Sequence, residues 1–256
     1  MTKKINEILI KIKKIKPFIL NISGYFPMDL VANGVRSLGA FPILSNAEQE
    51  IEELLGLSKS VVINLGKLDD PFITLCNRIC RLANKSNIPI VLDPVGAGAS
   101  RYRTDTAINM ISQHKISIVR AYTNEIAGIL TGKLVIPDNN IIDINEAIEN
   151  AQLLSEKYNT TVVVSGKRHI VIDSKQMSQF NFDSLILQKV AGIGSLLSSI
   201  LGIFHAIEAD RFIAAESAVN FYANCVGPVS STSLGPASLI TALIDKIYVN
   251  SSEAEL

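Results

Sequence analysis

Several apolar stretches of this chain end in a polar residue whose chemistry suits a charged ligand. The run "IPIVLDP" closes on Asp93, "ISIVR" on Arg120 and "VVVSG" on Ser165, while Glu125 follows Arg120 by five residues. Two carboxylates at neighbouring strand ends could hold Mg²⁺ through water, since that ion usually takes few direct protein ligands in nucleotide sites. They could equally cap helices. The Arg120 guanidinium offers a fork of donors that fits phosphate oxygens, or an ion pair with a carboxylate such as Glu125. Spacing does not choose between these roles.

A second candidate is "VAGIGSLLSSILGIFHA", residues 190–206. From Val190 to Ile207 there is no charged residue, but three glycines, three serines and a histidine interrupt a run that barely reaches bilayer length. A membrane span is therefore not expected. As a soluble helix its start is the informative part: Gly192 and Gly194 let backbone N–H groups approach an anion closely, and Ser195 is expected at or near the N-cap. The chain has no G-x-x-x-x-G-K-[ST] frame, and "GAGAS" at 96–100 does not complete G-x-G-x-x-G, so neither a P-loop nor a dinucleotide fold is supported.

These residues need a frame that brings strand ends together. "FILNI", "VVINL", "IPIVLDP", "ISIVR" and "TTVVVSG" read as strands buried on both faces, and segments 70–86, 101–114 and 143–157 are long enough for crossover helices. That alternation predicts parallel βαβ units in one three-layer α/β/α domain over 1–256, with a mostly parallel central sheet. After Ser165 the rhythm changes to short antiparallel strands, "HIVIDS" and "QMSQFNF", then helices near 194–208, 210–225 and 236–248. In such open sheets ligands sit at the carboxyl ends of the strands, where Asp93, Arg120 and Ser165 fall.

Composition narrows the partners. Lys+Arg and Asp+Glu stand at 24 each, so no net field draws the chain to nucleic acid or to an anionic membrane. Three cysteines do not make a disulfide framework, which points to a reducing cytoplasm, and Cys76 and Cys80 share a helix face as packing residues. The N-terminal "KKINEILIKIKKIK" has no unbroken apolar block for a signal peptide; Ile5, Ile8, Leu9, Ile12 and Ile15 form a stripe for docking on the domain.

Read in order, "VANGVRSLGAFPIL", "VVINLGKL", "IPIVLDPVGAGASRYR", "SIVRAYTNEI", "VVVSG", "KVAGIGSLLSSI" and "LGPASLI" resemble the hydroxyethylthiazole kinase family of the ribokinase-like superfamily, with the LDPVGAGA block the most specific. The resemblance implies a ribokinase-like fold and transfer of the ATP γ-phosphoryl, with Mg²⁺, to the primary hydroxyl of 4-methyl-5-(2-hydroxyethyl)thiazole in thiamine salvage. It also implies a homotrimer with substrate sites at subunit boundaries. By position, Asp93 and Glu125 would organise Mg²⁺, and Arg120, Ser165 and Gly194 would meet ATP. Asn33, Leu44 and Gly192 would line the thiazole site, Leu44 standing where the family has methionine.

Departures from the family pattern fall at chemical positions. Ser195 replaces the family's cysteine, and a hydroxyl that does not ionise near neutral pH can orient a substrate alcohol but hardly deprotonate it. Tyr122 replaces a Mg²⁺-shell asparagine, with Asn124 two residues on. Ser23, Gly24 and Tyr25 stand for T-N-N, and Asp29 for an asparagine. Two functions follow: a kinase slowed by these changes, or a homologue that only binds nucleotide or thiazole as a sensor or assembly partner.

Overall fold

The computed structural model describes residues 2–24, 28–135, 143–166, 168–181 and 186–252. Its centre is an eight-stranded sheet in the order β2-β1-β3-β4-β5-β6-β7-β8. The strands are β1 (Phe18–Ile22), β2 (Phe41–Leu44), β3 (Ser58–Asn64), β4 (Ile90–Asp93), β5 (Ile118–Tyr122), β6 (Thr161–Ser165), β7 (Arg168–Ile172) and β8 (Met177–Asn181). The first six run parallel, and β7 and β8 are antiparallel, as the change of rhythm after Ser165 predicts.

Side chains alternate between the two faces of a strand, and here both faces are buried. One face carries Ile19, Val62, Val91, Ile118 and Val163 into a core shared with α1 (Lys3–Ile15), α2 (Met28–Ser37), α8 (Ile193–His205), α9 (Arg211–Thr232) and α10 (Pro236–Ser252). The other carries Leu20, Ile63, Leu92, Val119 and Val164 against α3 (Ile51–Leu57), α4 (Asp70–Lys85), α5 (Arg101–Gln113), α6 (Thr123–Thr131) and α7 (Ile144–Tyr158). The result is the expected three-layer α/β/α arrangement. Among the described residues no helix is long and apolar enough to cross a membrane.

Three elements depart from the sequence reading. The α1 stripe buries Ile5, Ile8, Leu9 and Ile12 but leaves Ile15 52% exposed, because the helix ends there and Lys16 turns left-handed at φ 49°. Strand β2 contains Pro42, which is tolerated because β2 is the sheet's edge. Helix α9 continues past the expected stop near 225 to Thr232 despite Pro228. A proline removes one helical N–H and frees the carbonyl four residues back. The carbonyl of Asn224 instead accepts the Asn250 side-chain amide at 3.4 Å.

Helix α8 crosses the sheet closely at Gly202, whose carbonyl accepts the Ser60 hydroxyl at 2.8 Å. A Cβ there would lie 2.7 Å from Val62 Cγ2, on a stiff, fully packed strand. Gly202→Ala should therefore destabilise the fold by about 1–3 kcal/mol through overpacking, measured as a lower urea midpoint with an unchanged slope; a midpoint equal to the unsubstituted protein's would contradict this tight crossing.

Candidate active site

Strand alternation fixes the site before any loop is considered. Asn21, Asn64, Asp93, Arg120 and Ser165 have the same parity as Ile19, Val62, Val91, Ile118 and Val163, so all five face α8 from the carboxyl ends of β1, β3, β4, β5 and β6. Parallel register sets Asn64 beside Asp93 and Tyr122 beside Ser165. A row of polar groups thus runs along one sheet edge beneath the start of α8.

Asp93 is fully buried and its carboxylate is densely partnered. Arg120 Nη1 lies 3.3 Å from Oδ1, Asn64 Nδ2 donates to Oδ2 at 3.0 Å, and the Ser198 hydroxyl donates to Oδ2 at 2.9 Å. Ser198 also approaches the Gly194 carbonyl at 3.1 Å, but its one proton favours the shorter contact with the charged acceptor. Of the two roles open to Arg120, an ion pair is present, and its partner is Asp93 instead of Glu125.

Arg120 itself is only 3% exposed. Its Nε donates to Ser165 Oγ at 2.9 Å, and the Tyr122 ring covers the guanidinium with its centroid 4.4 Å from Cζ. From the other side comes Gly194, where a Cβ would fall 2.4 Å from Nη1. Burial is the largest influence and works against this charge, but Asp93, Tyr122 and Glu125 together outweigh it and hold the guanidinium's pKa above its ordinary value. Ser165 is buried behind Arg120, so its hydroxyl is already engaged by the guanidinium.

Glu125 lies in the first turn of α6. Its two oxygens accept the Gly96 N–H at 2.8 Å and the Tyr122 N–H at 2.7 Å, so it ties the "PVGAGAS" loop to the end of β5. Burial and the nearby Asp93 charge push its pKa up to about 7, against the opposing pull of Arg120 and the two N–H groups. The same loop is clamped by Arg103, which donates to the carbonyls of Leu65, Val95 and Gly66 at 2.9, 3.0 and 3.0 Å.

Of the two expected placements for Ser195, at or near the cap, the structure shows the second. Gly192 is the N-cap, at φ 90°, and Ser195 is the third helical residue. A cap glycine has no side chain to offer, and the first intrahelical bond runs from Leu196 N to Gly192 O. The N–H groups of Ile193, Gly194 and Ser195 therefore have no intrahelical acceptor and, with the helix dipole, form an anion cradle at the same edge.

Asn33 and Leu44 stand apart from this cluster. Asn33 is exposed on α2, and Leu44 is half-buried at the end of β2; no hydrogen bond links either to Asp93, Arg120 or Ser195 among the described residues. Asp29 is exposed at the start of α2, while Tyr25 lies outside the described residues. Among the described residues no group of three His, Cys, Asp or Glu could hold a metal, and Cys76, Cys80 and Cys225 are buried and free. The hard oxygens of Asp93 and Glu125 still fit Mg²⁺, which keeps its waters and needs only one or two carboxylates beside phosphate oxygens. The sequence reading overlooked Asn64, Ser198 and Arg103. Asn64 carried the same signal as Asp93, a polar residue ending an apolar strand.

The profile of the "Hydroxyethylthiazole kinase family" matches residues 9–253. A hydroxyethylthiazole kinase of Brachyspira hyodysenteriae is 34% identical over 247 residues, covering 94% of this chain and 93% of the relative. One from Pyrococcus furiosus is 32% identical over 251 residues, covering 97% and 94%. The solved hydroxyethylthiazole kinase of Pyrococcus horikoshii OT3 superposes with a TM-score of 0.88 at 29% identity, over 97% of this chain and 94% of that one. A ribokinase-like superfamily protein of Enterococcus faecalis, at TM-score 0.66 and 14% identity over 96% and 94%, shares the fold.

The raised Glu125 pKa has a defined effect on stability. Between its ordinary value of 4.5 and about 7 the folded protein keeps a proton that the unfolded chain has released, so stability falls as pH rises through this window. Glu125→Gln cannot titrate and should remove a decline on the order of 2 kcal/mol between pH 5 and pH 7.5, read from urea midpoints in metal-free buffer. Equal slopes for both proteins would mean that Glu125 is already ionised at pH 5.

Proposed function

This chain belongs to the hydroxyethylthiazole kinase family, and from that premise we propose that it phosphorylates the primary hydroxyl of 4-methyl-5-(2-hydroxyethyl)thiazole from ATP with Mg²⁺. The observation that carries the reading is the meeting of Asp93, Arg120 and Glu125 with the uncapped start of α8 at one sheet edge. Phosphoryl transfer depends mainly on positioning and on charge stabilisation, and this edge offers both.

In the reaction the alcohol oxygen attacks the γ-phosphorus, the bond from phosphorus to the ADP oxygen breaks, and the alcohol proton passes to a phosphate oxygen and from there to water. Asp93 and Glu125 would hold Mg²⁺, which when bound neutralises charge on the β- and γ-phosphates. The free N–H groups of Ile193, Gly194 and Ser195 receive the phosphoryl oxygens, with Gly192 setting the turn. Arg120 adds positive charge behind them, held in place by Ser165 and screened from water by Tyr122. Ser195 meets the reacting oxygens as a neutral hydroxyl.

A loose transition state makes little demand on a base, so Ser195 slows the reaction without abolishing it; a lost general base typically costs about 10²- to 10⁴-fold. Relatives matched over nearly the whole chain are hydroxyethylthiazole kinases, which supports turnover over the binding-only alternative. A homotrimer in the cytoplasm completes the reading, with Asn33 and Leu44 lining the thiazole pocket at a subunit boundary.

A coupled ATP-consumption assay with the thiazole alcohol and Mg²⁺ should give turnover that Asp93→Ala abolishes; ATP binding with no turnover on any small alcohol would sink the kinase reading. Ser195→Cys should raise kcat by about tenfold or more, because a thiol in the first turn of α8 ionises below its usual range of about 8.5. An unchanged kcat would transfer the rate limitation to Tyr122 and the metal shell.

A further inference from the structure

One buried amide joins the two halves of this site. Asn64, at the end of β3, is 7% exposed, and three of its four side-chain hydrogen-bonding positions are engaged. The Gly66 N–H donates to its Oδ1 at 2.9 Å, while its Nδ2 donates to Asp93 Oδ2 at 3.0 Å and to Ser195 Oγ at 3.1 Å. The orientation is fixed by chemistry. A backbone N–H can only donate, so the amide oxygen must face Gly66, which leaves the NH₂ facing the carboxylate and the hydroxyl.

That assignment constrains Ser195. Its oxygen already accepts a hydrogen bond from Asn64, and no hydrogen bond given by the Ser195 hydroxyl occurs among the described residues. A hydroxyl with one acceptor site filled from behind presents its own proton outward. The residue is half-buried in the first turn of α8, beside N–H groups that also have no acceptor, so the O–H joins them as a further donor.

We propose that Asn64 is a positioning residue that holds Ser195 as a hydrogen-bond donor toward the reacting oxygens and couples it to Asp93. Asn64 touches no substrate in this scheme and acts through the two groups it holds. Its register partner is Asp93 on β4, so the amide stays beside the carboxylate for as long as the sheet is intact. The positioning role rests on the kinase reading above, whereas the contact with Ser195 does not.

The test separates the two. Ser195→Cys introduces a reporter thiol whose ionisation is read from the pH dependence of its alkylation rate, without turnover. The native thiols do not interfere, since all three are buried and burial pushes Cys80 and Cys225 up to about 12. In that background Asn64→Ala should move the introduced thiol's pKa upward by about one unit, because a donor to the thiolate is lost. Asn64→Asp should move it at least as far, since it keeps an oxygen for Gly66 but replaces the donors with an acceptor.

If Asn64 does not hold position 195, Asn64→Ala leaves the thiol's pKa where it was, and the proposal is overturned; Asn64→Asp adds a carboxylate charge and raises it in either case. With Ser195 in place, both Asn64 variants should lower kcat by about tenfold while the KM for ATP changes less than about threefold, for variants that retain the parent's far-ultraviolet circular dichroism. A tenfold rise in KM at constant kcat would also overturn the proposal. Failure of the unsubstituted protein to turn over any alcohol would remove the kinase reading alone, with the thiol titration still deciding whether Asn64 holds position 195.

Discussion

The buried pair between Asp93 and Arg120 is the constraint around which this polar sheet edge is organised. Two charges taken out of water lose solvation worth several kcal/mol each, and their attraction offsets this only with further hydrogen bonds. Those bonds are present: Asn64 and Ser198 complete the Asp93 carboxylate, while Ser165 and the Tyr122 ring complete Arg120. Each partner comes from a different element, so β3, β4, β5, β6 and α8 meet at one point for electrostatic reasons. Removing one member of such a pair costs about 3–5 kcal/mol, far more than an exposed ion pair, because the other charge remains buried.

This pair also explains the glycine in the first turn of α8. A side chain at position 194 would occupy the volume of the Arg120 guanidinium, so the helix can start this close to the sheet only with glycine there. The close start in turn aims the free N–H groups at the edge where Asp93 and Glu125 lie. The N–H groups at the start of α8 and the two carboxylates are therefore parts of one packing solution, and moving either would disturb the other. Gly194 at this turn follows from sterics as much as from any ligand.

How much of this was legible in the sequence depended on the kind of signal. Strands buried on both faces announce themselves as continuous β-branched runs, and β1, β3, β4, β5 and β6 were readable for that reason. Edge strand β2 was not, because four residues including a proline carry no such run. Asp93, Arg120 and Ser165 were visible as polar ends of apolar strands. Asn64 had the same signature, but an amide without charge suggests no chemistry until its partners are known. The choice of Asp93 over Glu125 as the partner of Arg120 could not be read from spacing. It follows from strand parity, which sets Arg120 and Asp93 on the face toward α8, whereas Glu125 turns back to cap α6 and hold the Gly96 loop.

The replacement of a thiol by a hydroxyl at position 195 takes its meaning from this architecture. A base contributes most when the proton must leave early, and least when bond breaking to the leaving group runs ahead of attack. In the proposed reaction the buried guanidinium and the N–H groups at the start of α8 would act on the phosphoryl charge, with the two carboxylates placed to hold the metal. An Asn64 amide that fills one acceptor site on Ser195 converts the hydroxyl into a donor of the same kind. On the proposed mechanism serine at this position would give up proton removal while adding to charge stabilisation, which in phosphoryl transfer is the larger of the two contributions.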